Sequence, residues 1–116
     1  MSVTLYGIPN CGTVKKARKW LDQNGIAYTW VDFRATAPEP ERVSAWMATF
    51  GSKPMRNTSG GAYRAQPPEK KGWGDAEWLP LMQADPMLLK RPVVEIDDEP
   101  ATVGFKEPAY AALFGK

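Results

Sequence analysis

Two kinds of hydrophobic spacing follow each other along the first third of the chain. Residues 2–6 alternate apolar and polar side chains, which predicts a β-strand. Residues 12–24 have the spacing of an amphipathic α-helix, whose buried side would hold Val14, Ala17 and Leu21. Residues 26–33 are aromatic and β-branched, which favours a second strand. A strand, a helix and a strand in this order predict a βαβ unit with a right-handed crossover.

Helical spacing returns in the middle of the chain and is then lost. Residues 40–50 predict an amphipathic helix that starts at a proline, with an inner side made of Val43, Trp46, Met47 and Phe50. Residues 52–74 show no periodicity and are rich in Pro, Gly and Asn, which predicts a long loop. Asp75 is predicted as the N-cap of a short helix, followed by one further turn over residues 87–90.

The last quarter of the chain predicts a β-hairpin and a helix. A strand over residues 91–96, a polar turn over 97–100 and a return strand over 101–104 form the hairpin. Residues 105–114 predict the final helix, with its inner side made of Tyr110, Leu113 and Phe114. No repeat or linker divides the sequence. We therefore expect a single domain over residues 1–116, with a helical insertion over about residues 40–90.

Composition narrows the classes of function. A net charge of +2 is too small to indicate nucleic acid as the main partner, and no apolar run approaches the roughly 20 residues that span a membrane. The chain contains one cysteine and no histidine, which excludes an internal disulfide, Cys–His and Ser–His–Asp catalysis, and a zinc site. We expect no metal, no bound cofactor and no signal peptide. A cytoplasmic protein is the corresponding interpretation.

The single cysteine stands where the first strand leads into the first helix. At this position Cys11 would meet unpaired backbone N–H groups and the positive end of the helix dipole, with Lys15 nearby. These surroundings favour a thiolate, so we interpret Cys11 as a reactive nucleophile. The alternative is a small buried apolar residue.

The basic residues of the first predicted helix and of the predicted loop over residues 52–74 each have two interpretations. The helix carries a cluster made of Lys15, Lys16, Arg18 and Lys19, which would either steer anions to the thiol or form a solvated face. Arg56 and Arg64 in the loop would either bind anions or lie on the surface.

Residues 7–21, which contain Gly-Ile-Pro-Asn-Cys-Gly-Thr-Val-Lys-Lys, resemble the arsenate reductase-related (ArsC) family, and within it a YffB-like subgroup. Three further stretches agree: residues 57–60, residues 89–93, and residues 103–107 followed by Leu113-Phe114-Gly115. The resemblance covers essentially the whole chain. It implies an α/β, thioredoxin-like fold made of a βαβ unit, a helical insertion, a β-hairpin and a C-terminal helix around a four-stranded mixed sheet.

The resemblance also implies roles for individual residues. Cys11 would be the redox nucleophile, and Arg91 would reach the oxyanion or glutathione site beside a cis Arg91–Pro92 peptide bond. The anion pocket would be shaped by Asn10, Gly12, Thr13 and Lys15. Members of the subgroup often carry an arginine where this chain has Ser59. Arg56 and Arg64 are the candidates to replace it, and the serine argues against arsenate as the natural substrate.

The resemblance implies a glutathione-dependent thiol reductase with glutathione as co-substrate. Its other partners would be a small oxyanion or a thiol protein, and we expect a monomer. The family also contains Spx-type regulators, which bind RNA polymerase and sense oxidation. Many of these use a Cys-x-x-Cys switch, whereas this chain has Val14 at the second position. An inactive relative that keeps only the fold is the third alternative.

Overall fold

Four strands, β1 (Val3–Gly7), β2 (Thr29–Asp32), β3 (Val93–Ile96) and β4 (Glu99–Val103), form one mixed sheet in the order β2–β1–β3–β4. The computed structural model describes all 116 residues. The chain forms two compact units. The first unit consists of residues 1–36 and 91–116, and the second consists of residues 37–90. The sheet belongs to the first unit. No helix in the chain is long and apolar enough to cross a membrane.

The predicted βαβ unit and the four-stranded mixed sheet are confirmed. Strand β1 is parallel to β2 and antiparallel to β3, so that Leu5 lies between Trp30 and Val94. Helix α1 (Gly12–Gln23) connects β1 to β2, and helix α6 (Glu107–Phe114) ends the chain. Both helices contribute to one hydrophobic core with the sheet, formed by Val3, Leu5, Ala17, Trp20, Leu21, Val94 and Tyr110.

Aromatic contacts join the two helices of the first unit. The ring of Trp20 on α1 meets the edge of Tyr110 on α6 at a centroid distance of 5.7 Å, and Phe114 lies 6.1 Å from the same tryptophan. Phe105, in the segment just before α6, packs against Tyr110 at a centroid distance of 4.7 Å. This helix begins at Glu107 instead of Phe105, because Lys106 has an extended backbone and is its N-cap. Helix α1 is therefore anchored on the side of the core opposite its exposed lysines.

Two predicted strand limits are corrected. Strand β2 starts at Thr29 instead of Ile26, because the backbone N–H of Ile26 is bonded to the Leu21 carbonyl at the end of α1. The hairpin turn is shorter than the predicted turn over residues 97–100. Asp97 and Asp98 make it alone, with positive φ angles of 52° and 65°. Strand β4 therefore already begins at Glu99 and includes Pro100.

The second unit is built from short helices. Helix α2 spans Pro40–Phe50, as predicted, and is followed by α3 (Ser52–Met55) and α4 (Gly61–Arg64). A 3₁₀ turn over Pro68–Gly72 precedes α5 (Asp75–Ala84), and a second 3₁₀ turn spans Pro86–Leu88. The predicted long loop over residues 52–74 is thus wrong. Helices of four or five residues present about one turn each, which is too short to give a readable hydrophobic period.

The predicted role of Asp75 is also corrected. The N-cap of α5 is Gly74, whose backbone N–H donates to the carboxylate of Glu77 at 3.0 Å. The carboxylate of Asp75 instead accepts the backbone N–H of Ser52 at 3.0 Å, and so caps the start of α3. Hydrogen bonds from Ser52 lower the pKa of Asp75. One acidic residue thus connects two helices that the sequence presented as separate.

Glycine at position 7 sets the distance between the sheet and α1. A Cβ atom at Gly7 would lie 2.8 Å from Cγ2 of Val14 and 3.5 Å from the ring of Trp30. Val14 is fully buried and has little room to move. The chain therefore passes from β1 into α1 at a point where only a hydrogen fits.

We expect Gly7→Ala to destabilise the protein by about 1–3 kcal/mol, because it overpacks the contact with Val14. Gly12→Ala is the matched control, since a Cβ there meets no atom within 4 Å. Urea unfolding of both variants measures the difference. Equal stability of the two variants would contradict the close approach described here.

Candidate functional site

Cys11 is the residue immediately before the first turn of α1. Its backbone is extended, with φ −90° and ψ 125°, and its carbonyl accepts the N–H of Lys15 at 3.0 Å. Its own N–H donates to the Ile8 carbonyl at 3.4 Å, which closes the loop after β1. The thiol is half-buried. It is therefore not the enclosed core residue of the alternative interpretation.

The surroundings of Cys11 act on its thiol in opposite directions. Burial raises the pKa of the thiol. The backbone N–H groups of Val14 and Thr13 lower it by hydrogen bonding to the sulfur, and Arg91 lowers it further by its positive charge and by a side-chain hydrogen bond. The net pKa of Cys11 lies below the ordinary value of a thiol. The thiolate is thus favoured by dipoles from its own helix and by a cation from a distant part of the sequence.

Arg91 reaches the thiol from the segment that leads into β3. Its peptide bond to Pro92 is cis, as the resemblance implies, and Pro92 itself is buried. The guanidinium side chain is half-buried. Cys11 and Arg91 are far apart in sequence, and the pairing of β1 with β3 brings their segments together.

A short chain of hydrogen bonds holds the Pro92 segment in place. The carbonyl of Pro92 accepts the backbone N–H of Gly104 at 2.8 Å. The carbonyl of Gly104 accepts the hydroxyl of Tyr110 at 3.1 Å. Gly104 has a φ of 80°, a conformation that favours glycine. Gly104 and the Tyr110 hydroxyl were not predicted as site residues, although residues 103–107 belong to the stretches that carry the resemblance.

The remaining predicted residues of the first unit surround the thiol by sequence proximity. Asn10 and Gly12 are exposed and Thr13 is half-buried. A Cβ atom at Gly12 would meet no atom within 4 Å, so a ligand can come close to the backbone beside the sulfur. Lys15 is exposed one turn into α1 and makes no hydrogen bond or ion pair through its side chain. Among these residues the backbone N–H of Thr13 bonds to the sulfur and lowers its pKa, whereas Lys15 does not contribute to that shift.

Arg56 and Arg64, the other two predicted anion binders, belong to the second unit. The guanidinium of Arg56 lies over the ring of Trp78, 4.9 Å from its centroid, and its backbone pairs with Leu89 in an antiparallel bridge. Trp78 is fully buried and also stacks on Tyr63 at 5.8 Å. Arg56 therefore has a structural role within its own unit.

Arg64 and Ser59 stabilise the loop before α4. Arg64 donates from Nη1 to the Ser59 carbonyl at 2.9 Å, and its side chain is exposed. The Ser59 hydroxyl donates to the side-chain carbonyl of Asn57 at 3.0 Å, and the backbone N–H of Ser59 donates to the same oxygen at 3.4 Å. Asn57 is buried. Ser59 thus makes local hydrogen bonds and contributes no positive charge.

Comparison with known proteins establishes the family. The model of the ArsC family matches residues 6–113. The chain belongs to the ArsC family. YusI, an uncharacterized protein of Bacillus subtilis, is 38% identical over 114 residues, which cover 95% of this chain and 96% of YusI. The resemblance inferred from the stretch around Cys11 is therefore confirmed.

Solved structures agree with this ArsC protein over nearly its full length. A structure named YffB is 38% identical, with a TM-score of 0.86, and the match covers 96% of this chain and 97% of YffB. An arsenate reductase (ArsC) related protein from Brucella melitensis is 38% identical, with a TM-score of 0.77 and coverage of 100% and 97%. The thioredoxin-like fold is confirmed by these neighbours.

A second group of relatives consists of regulators. The global transcriptional regulator Spx of Enterococcus faecalis is 28% identical over 107 residues, which cover 90% of this chain and 80% of Spx. The similarity of this chain therefore extends to a transcriptional regulator. No group of three or more His, Cys, Asp or Glu side chains lies close enough together in the chain to hold a metal ion.

We expect Arg91→Ala to raise the pKa of the Cys11 thiol, because it removes both the positive charge and the hydrogen bond. The rate of Cys11 alkylation by iodoacetamide, measured against pH, reports this pKa. Wild-type protein should remain reactive at lower pH than a free cysteine, and the Arg91→Ala profile should shift to higher pH. Arg91→Lys, which keeps the charge, should fall between them.

Lys16→Ala is the matched control for this titration. It removes one exposed cation from α1 without touching the Arg91 segment. Its alkylation profile should follow that of the wild type. A wild-type profile identical to that of a free cysteine would contradict the geometry described here.

Proposed function

We propose that this ArsC-family chain is a glutathione-dependent thiol reductase in which Cys11 is the nucleophile. The observation that carries the proposal is the half-buried thiol of Cys11, whose pKa is lowered by helix N–H groups and by Arg91. Activated cysteines of enzymes are found in such electropositive, partly exposed surroundings. Membership of the ArsC family supports the same class of chemistry.

The proposed reaction begins with a mixed disulfide between glutathione and a second thiol compound. The Cys11 thiolate attacks the sulfur of glutathione, the old S–S bond breaks, and the second compound leaves as a thiolate that takes up a proton. Cys11 then carries glutathione in a new disulfide. Arg91 and the N–H groups of Thr13 and Val14 hold the Cys11 thiolate before the attack and accept it again at the end of the cycle.

An external thiol must complete the cycle, because the chain has no second cysteine. A glutathione thiolate attacks the glutathione sulfur of the Cys11 mixed disulfide and releases oxidised glutathione and the Cys11 thiolate. The sum consumes one reduced glutathione and reduces one mixed disulfide. This requirement for a soluble thiol agrees with a cytoplasmic location, which we propose as well.

The same thiolate would attack an oxyanion such as arsenate less effectively. Recognition of a tetrahedral anion benefits from several guanidinium groups, which form paired charge-assisted hydrogen bonds. This chain has Ser59 in place of the expected arginine, and Arg64 is bonded to the Ser59 carbonyl. We therefore propose disulfides as the main substrate class. Anion binding by Arg56 and Arg64 stays a prediction.

Treatment with oxidised glutathione should add one glutathione to the protein, at Cys11, as measured by intact mass spectrometry. Arg91→Ala should form the adduct more slowly at neutral pH, because a smaller fraction of its thiol is ionised. Reduced glutathione should then remove the adduct from both proteins. Cys11→Ser is the control that must stay unmodified, and a wild-type protein without any adduct would exclude the proposed reaction.

Regulation of transcription is the second candidate function, favoured by the similarity to Spx. Val14 occupies the position at which a Cys-x-x-Cys switch would need its second sulfur. A regulator built on this chain would therefore depend on glutathione or another external thiol to sense oxidation. Because the chain lacks an internal switch, the enzymatic function is the better supported of the two candidates.

A binding experiment with RNA polymerase from the native host separates the two functions. Because the second cysteine of the switch is missing, we expect no retention of polymerase subunits on the immobilised protein, in either the reduced or the glutathione-treated form. The Cys11→Ser variant is the matched control. Retention at near-stoichiometric amounts would favour the regulator over the reductase.

A further inference from the structure

The exposed side of α1 carries lysine side chains that are not paired with any acidic or hydrogen-bonding group of the protein. Lys15 and Lys19 are exposed, and neither makes an ion pair or a side-chain hydrogen bond. The first turn of the helix contains no acidic residue. Asp22, in the last turn, is the only acid in the helix. Cationic side chains at the N-terminal end of a helix oppose its dipole, so this arrangement does not serve helix stability.

Three cations share one face of α1, the helix that begins after Cys11. Lys15, Arg18 and Lys19 follow Cys11 at intervals of four, seven and eight residues, which place them on one face of a helix. At a rise of about 1.5 Å per residue they form a stripe of about 12 Å along α1, counted from the N-cap Cys11. At about 100° per residue, Lys16 lies about 60° from Lys19 on the neighbouring exposed face, and Asp22 follows on the same face as the stripe. We call Lys15, Arg18 and Lys19 the cationic stripe.

Arg18, in the middle of the cationic stripe, is held in a fixed orientation. Its guanidinium lies over the ring of Trp30 at 4.3 Å from the centroid, and its Nε donates to the hydroxyl of Tyr28 at 3.2 Å. Stacking of this kind leaves the outer N–H groups available for an anion and reduces the entropy lost when one binds. Arg18 is therefore prepared for a carboxylate in a way that a free surface arginine is not.

We propose that the cationic stripe docks an acidic segment of a protein whose cysteine is released from its glutathione mixed disulfide by Cys11. This inference rests on the proposed function and names its partner as a protein–glutathione mixed disulfide with carboxylates near the cysteine. An extended segment advances about 3.3 Å per residue, so side chains about three or four residues from the cysteine of this partner reach Arg18 and Lys19. Glutathione has one residue on each side of its cysteine and is too short to reach them.

Peptides that carry a glutathione mixed disulfide test the docking. Three peptides of equal length have Glu, Gln or Lys at the third and fourth positions after the cysteine. Release of the peptide thiol is measured at low and at high salt, with reduced glutathione present. We expect the Glu peptide to react about tenfold faster than the Gln peptide at low salt, and the Lys peptide to react slowest. The advantage should fall as salt rises.

Variants of α1 assign the preference to the cationic stripe. Arg18→Gln combined with Lys19→Gln should abolish the advantage of the Glu peptide. Lys19→Gln alone, at an exposed residue without an ion pair or side-chain hydrogen bond, should reduce it. Lys71→Gln removes the same charge at an exposed residue outside α1 and should keep the advantage. All variants should reduce a mixed disulfide of glutathione and mercaptoethanol at the wild-type rate, because this substrate cannot reach the stripe.

The outcomes separate this inference from the proposed function. Equal rates for the three peptides, with normal turnover of the small disulfide, would overturn the docking and leave the reductase intact. An equal loss of preference in Lys71→Gln would overturn the assignment to the stripe and indicate an effect of net charge alone. A protein that reduces none of these disulfides would overturn both proposals.

Discussion

The chemistry of this protein depends on the ionisation of the Cys11 thiol, which burial opposes and hydrogen-bond donors favour. Burial alone favours the neutral thiol. The N–H groups of Val14 and Thr13 exist at this position only because a helix begins there, and the charge of Arg91 arrives only because β3 pairs with β1. Most of the first unit can be understood as the framework that keeps these donors around Cys11.

That framework is rigid on each side of the thiol. Gly7 allows β1 to approach Val14 at the start of α1, and Trp20 ties the same helix to α6. Gly104 and Tyr110 fix the carbonyl of Pro92, next to Arg91. A group positioned by packed strands and helices keeps its geometry better than one on a free loop. The thiol and its arginine are thus both placed by elements that share one hydrophobic core.

The sequence predicted the parts of the fold that have a long hydrophobic period. The βαβ unit and α2 were predicted because Val14, Ala17 and Leu21, and their counterparts in α2, repeat over several turns. The short helices of the second unit were missed, since α3 and α4 are held by tertiary bonds such as that between Ser52 and Asp75. Local spacing cannot show a cap that comes from a residue far along the chain.

The candidate site was predictable to the extent that it is local or resembles a family. Cys11 and its helix amides follow from the sequence around residue 11, whereas Arg91 was named only through the resemblance to ArsC proteins. The bond between the Tyr110 hydroxyl and Gly104 had no signal beyond a tyrosine on the inner side of a predicted helix. Positions that act through a hydrogen bond to another backbone segment leave no pattern of spacing in a single sequence.

Pro100 has a consequence for how this protein behaves at high concentration. Strand β4 is an outer strand of the sheet and contains this proline in its ladder, opposite Glu95. An outer strand normally presents a row of N–H and C=O groups to which a strand of another molecule can add. Proline has no N–H, and the irregular register at Val94 and Glu95 interrupts the row further. This border is therefore a poor template for intermolecular β-sheet growth and aggregation.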